Sequence, residues 1–123
     1  MGMPAEGPQA NATIRTLLHE VPVCQLKDDL AEVKSQMSDE WNISVVIDPE
    51  RIVLGLLELA ELRDYEGSIE NVMKPAPRAL RPGVPIADAI HYFLQSDRTF
   101  ALVTKSSGEL MGAIRFSDLQ AKA

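Results

Sequence analysis

The chain has 123 residues, 46% of them hydrophobic and 24% charged, which is the balance of one globular domain rather than a disordered or fibrous chain. Its net charge of −6 argues against general nucleic-acid or anionic-membrane binding, which needs clustered Lys and Arg. No apolar run approaches the ~20 residues of a membrane span, and a single cysteine, Cys24, excludes an internal disulfide.

Residues 1–11 carry two Pro and two Gly with little apolar content, so a disordered tail is expected there. The start is neither basic nor apolar and does not read as a signal peptide, so a cytoplasmic location is expected. Met1 and the composition of the tail favour a small free-standing protein. Residues 12–18 form a lead-in whose Ile14, Leu17 and Leu18 follow helical spacing and should pack on the rest.

The first unit, 19–66, opens with a strand at about 21–26, where Cys24 reads as a small buried hydrophobe. A helix follows with Leu30, Val33 and Met37 at i, i+3 and i+7, and with Asp28 or Asp29 as N-cap. Ile43–Ile47 and Arg51–Leu57 read as a hairpin around Asp48-Pro49-Glu50, since Pro suits the second position of a type I turn. A short helix at about 58–65 closes the unit.

The second unit, 67–121, repeats this order. A strand is expected at about 77–80. A helix after Pro85 buries Ile86, Ala89, Ile90, Phe93 and Leu94, leaving Tyr92 to cover something else. Phe100–Thr104 and Glu109–Ile114 form a hairpin in which Gly108 is free to take positive φ. A helix at 116–121 ends the chain and is marginal alone, so residues 12–19 are its natural cover.

The correspondence is residue by residue. Gly55 in Val53-Leu54-Gly55-Leu56-Leu57 and Gly112 in Leu110-Met111-Gly112-Ala113-Ile114 stand 57 positions apart. The offset holds without a gap from Val33/Ile90 to Leu62/Leu119, and pairs Val46 with Val103 and Glu61 with Asp118. Such self-similarity marks repeated supersecondary units, neither of which buries its apolar face alone. The expected fold class is α+β: two β-α-β-β-α repeats about a pseudo-two-fold axis.

This grammar, with Val72-Met73-Lys74-Pro75 opening the second unit and Leu80-Arg81-Pro82-Gly83-Val84-Pro85 leading into its helix, resembles a tandem pair of cystathionine β-synthase (CBS) domains, the Bateman module. The resemblance spans roughly residues 19–120. It implies a regulatory module without catalytic residues, and binding of an adenosine nucleotide or S-adenosylmethionine between the repeats, or docking and dimerisation. No cofactor is implied as a requirement.

Nucleotide-binding members carry Gly-x-x-Thr/Ser-x-x-Asp after the last strand. In the first unit Glu58 replaces the hydroxyl and Glu61 the Asp, and an anion there repels phosphate by about 4 kcal/mol at ~4 Å before screening. In the second unit Asp118 is kept and Arg115 replaces the hydroxyl, a cation suited to phosphate. The resemblance therefore points to one ligand cleft: Asp118 on the ribose, Arg115 near the phosphates, Ser117 and Gly112 at the helix start, with Lys74 and Arg78 as further phosphate partners. The bland alternative is that Ser117 and Asp118 simply cap the last helix, and that Glu58 and Glu61 complement the dipole of the other. In that case the chain is a ligand-free dimerisation or scaffold module with degenerate sites.

His19 and His91 lie in different units without ligand-spaced neighbours, so no metal site is expected. No nucleophile elbow, phosphate-binding Gly loop or paired acid and base can be read, so no catalytic residue is expected. Trp41 reads as a cap over the core, or else as an interface residue. A homodimer, and an unidentified protein partner, complete the expectations.

Overall fold

The computed structural model describes residues 12–122, so the expected tail at 1–11 lies outside the described residues. A 3-10 turn at Ile14–Leu17 is followed by strand β1 (Val23–Cys24) and helix α1 (Leu30–Gln36). Strands β2 (Ile43–Ile47) and β3 (Val53–Glu58) come next, with helices α2 (Leu59–Leu62) and α3 (Ile69–Val72). Helix α4 (Ile86–Gln95), strands β4 (Phe100–Thr104) and β5 (Leu110–Arg115), and helix α5 (Phe116–Lys122) complete the chain.

The two hairpins are copies in register as well as in sequence. Val46 faces Gly55 in the first, and Val103 faces Gly112 in the second. Each ladder slips at the next pair, between Val46 and Ile47 and between Val103 and Thr104. At the turns, Arg51 N–H donates to Asp48 O at 2.8 Å and Gly108 N–H to Lys105 O at 2.9 Å. Gly108 takes φ +94, and Arg51, 57 positions earlier, takes φ 67 without being a glycine.

All five residues of β2 are buried because the sheets are covered on both sides. Val46 and Leu57 face α1, α2 and α3 through Val33, Leu62 and Ile69. Val45 and Leu56 face inward, against Leu102 and Ala113 of the other sheet. On the far side, Val103 and Ile114 pack with Phe93 of α4, Leu119 of α5 and Ile14. The order is helices, sheet, sheet, helices. Within this core Cys24 is 3% exposed, and burial raises its thiol pKa, which suits an inert side chain.

Each sheet takes its outer edge from the segment that precedes the other repeat. His19 bridges Ala113, exchanging hydrogen bonds of 2.8 and 3.0 Å. Lys74 bridges Leu56 with two bonds of 2.9 Å. This crossing explains the repeated glycine. A Cβ on Gly112 would stand 2.7 Å from His19 O, and one on Gly55 would stand 2.8 Å from Lys74 O. The same crossing carries Ile14, 0% exposed, into the core beside Leu119, where the lead-in covers α5.

Three expectations change. The strand at 77–80 reduces to one bridge, Leu80 to Val103, because Pro77 and Pro82 flank it and donate nothing to a ladder. Helix α3 was not foreseen; Ser68 caps it by accepting from Asn71 N at 3.2 Å. Finally, Leu94 is 69% exposed rather than buried, while Tyr92 packs at the edge of the core. At 100° per residue Ile86, Ala89 and Phe93 share a face that Leu94 leaves by one step.

Candidate functional site

The two hairpin-to-helix junctions carry the residues singled out in sequence. At the first, backbone N–H of Leu59 donates to Asn42 O, and at the second, that of Phe116 donates to Thr99 O, both at 2.9 Å. Helix α5 begins at Phe116, so Ser117 and Asp118 lie inside its first turn. Glu58 stands at the N-cap position of α2 but makes no capping hydrogen bond. The capping account of Ser117 and Asp118 is therefore revised, and the carboxylates of Glu58 and Asp118 each contact a partner from the other repeat.

At the first junction the partner is Lys74. Its Nζ lies 2.7 Å from Glu58 Oε1 and also contacts Glu61 Oε2. These two carboxylates raise the Lys74 pKa, so the ammonium stays charged. The carboxylates of the first junction are thus already paired with a cation.

At the second junction a chain of contacts surrounds a cavity of about 280 Å3, bounded by Trp41, Asn42 and Ile43 on one side and Thr99, Arg115 and Ser117 on the other. The Arg115 guanidinium stacks 4.5 Å from the Trp41 ring centroid, and its Nη2 pairs with Glu40 Oε1 at 2.6 Å. Its Nε is enclosed and has no acceptor among the described residues. Trp41 also meets Phe100 edge-on at 6.3 Å and His19 at 6.2 Å. His19 Nε2 in turn contacts Asp118 Oδ2. One aromatic wall and one cation therefore meet in this cavity, with Glu40 on its rim, while Asp118 lines a neighbouring cavity together with His19.

The six residues picked from sequence do not share one cleft. Arg115 and Ser117 line the second-junction cavity, whereas Asp118 lines a neighbouring one with His19, whose ring meets Trp41. Gly112 sits behind it, against His19 O. Lys74 belongs to the first junction, which corrects its grouping with Asp118. Arg78 lines a different cavity. Glu40, His19 and Trp41 were missed as members of the site. The expected crossing of residues 12–19 toward the last helix was the one sequence signal that could have placed His19 beside Asp118.

Residues 69–122 match the family of the CBS domain. The fold is similar to that of the CBS domains of a transcriptional regulator from Streptococcus pneumoniae, with TM-score 0.74 and 17% identity over 89% of this chain and 98% of that one. A CBS domain pair/ACT domain protein from Thermotoga maritima aligns with TM-score 0.75 and 18% identity, covering 89% of this chain and 94% of that one. CBSX2 in complex with AMP aligns with TM-score 0.72 and 17% identity, covering 89% and 93%. No curated protein matches the chain in sequence.

Proposed function

We propose that this chain, a CBS-domain pair, is a regulatory module that takes an adenosine nucleotide in the second-junction cleft and nowhere else. The observation that carries this reading is the Arg115 Nε donor, enclosed in that cleft and without an acceptor. A phosphate oxygen completes it. Asp118 accepts from the ribose hydroxyls once His19 yields it, and Trp41 offers a face for stacking. At the first junction Glu58 and Glu61 already hold Lys74, the cation that contacts them among the described residues. Support also comes from the likeness to CBSX2, whose structure contains AMP. The module acts by sensing rather than catalysis. It works as a homodimer in the cytoplasm, with Lys74 excluded from the ligand set.

A second reading rests on Glu40, which already neutralises Arg115 from the rim of the cleft. In that reading the module is a ligand-free scaffold that pairs proteins. A thermal-shift panel of AMP, ADP, ATP and S-adenosylmethionine separates the two. Ligand at about 100 times its dissociation constant adds ~2.7 kcal/mol and raises the melting temperature by about 5–15 °C. The sensor requires a shift that Asp118→Ala removes and Glu61→Ala keeps. Silence from all four at millimolar concentration selects the scaffold.

A further inference from the structure

A cavity of about 520 Å3 lies at the opposite end of the hairpins from the two junctions, walled by the inter-repeat segment and the hairpin turns. Val53 of the first hairpin and Leu102 and Thr104 of the second contribute to it. Arg78 and Arg81 are its charged lining residues. The cavities lined by Glu40, by Asp28 and Asp29, by Glu20 and by Asp118 all include a carboxylate. This one has none among the described residues of its wall. In a chain of net charge −6, that makes it a local concentration of positive potential.

The two arginines are differently held. Arg81 Nη1 donates to Thr104 Oγ1 at 2.8 Å, and Thr104 is 3% exposed, so the guanidinium is fixed to a buried hydroxyl. Its remaining donors have no carboxylate partner among the described residues, and neither has Arg78. The segment between them is pinned by Leu80, whose N–H and C=O are both bonded to β4 at 2.9 and 3.0 Å. Val53, Val84, Ala76 and Ala79 supply apolar surface beside the two cations. A guanidinium pair over an apolar floor matches an anionic head on an apolar body.

We propose that this cavity is a second ligand site, independent of the nucleotide cleft, for a small organic anion: a carboxylate or phosphomonoester carrying an apolar group. Arg78 and Arg81 hold the anion, and Thr104 orients Arg81. The hairpin turns meet there, with Val53 N–H bonded to Gly108 O at 3.1 Å, so an occupant touches both repeats at once. Occupancy is thereby reported to the whole module.

The test is a titration of the full chain, 15N-labelled, followed by amide chemical shifts, with benzoate, phenyl phosphate and inorganic phosphate as probes. Saturable shifts at residues 76, 78–81, 102–104 and 108 are expected with benzoate or phenyl phosphate. Inorganic phosphate, which lacks the apolar body, binds more weakly. Whichever of the first two binds tighter identifies the head group. Arg78→Ala weakens binding about tenfold, the loss of one charge-assisted hydrogen bond, and Asp118→Ala leaves it unchanged. Arg81→Lys, which keeps the charge without the fork, also weakens it. Arg78 makes no side-chain contact that the fold needs, so a failure of Arg81 variants to fold would not blunt the result. Shifts centred on 112–118, no saturable shift, or binding indifferent to Arg78→Ala overturns the proposal.

Discussion

Arg51 and Gly108 occupy the same step of the two turns, and only one of them is suited to it. A non-glycine residue in the left-handed region costs about 1–2 kcal/mol. Arg51 returns little for that cost, a long 3.4 Å contact from its Nε to Leu110 O. Arg51→Gly is therefore expected to stabilise the chain by about 0.5–1 kcal/mol, after the added freedom of the unfolded glycine. Urea unfolding checks this, and a destabilised variant would show that the Arg51 side chain matters more than its backbone. The turn itself was legible from Asp48-Pro49-Glu50. The strain was not, because a side chain at φ 67 leaves no mark in a pattern of polar and apolar residues.

Among the elements, the hairpins were the most readable part of the fold, since the 57-residue offset marks the same strands in both copies; their shared register and bulge are seen only in the structure. The segments that flank them were not, because their partners lie in the other repeat. Lys74 follows Val72-Met73 in sequence and so reads as the start of the second unit, yet it pairs with β3 and with Glu58 of the first. His19 likewise opens the first unit and pairs with β5 and Asp118. Only a residue with no Cβ lets these segments cross so close to the hairpins. Gly112→Ala, strained at φ +154 and pressed on His19 O, is expected to cost about 2–4 kcal/mol. It should also release His19 from Asp118, visible as a changed His19 imidazole resonance. A neutral substitution would contradict the interlocked arrangement.

For the molecule as a whole, the apolar excess of α4 stands out. Leu94 is 69% exposed at the end of a helix whose other face is fully engaged. A second copy covering Leu94 is what the proposed homodimer requires. Light scattering should give about twice the 13.5 kDa of the chain, and Leu94→Glu should return it toward the monomer. A monomer at micromolar concentration before any substitution would refute the dimer.

The measurement that bears most directly on the account is calorimetric titration of the chain with AMP. One ligand per chain is expected, abolished by Asp118→Ala and by Arg115→Ala and retained in Glu61→Ala. Two ligands per chain, or binding lost through Glu61 and kept through Asp118, would place the nucleotide at the first junction, beside Lys74, and contradict the assignment of the site.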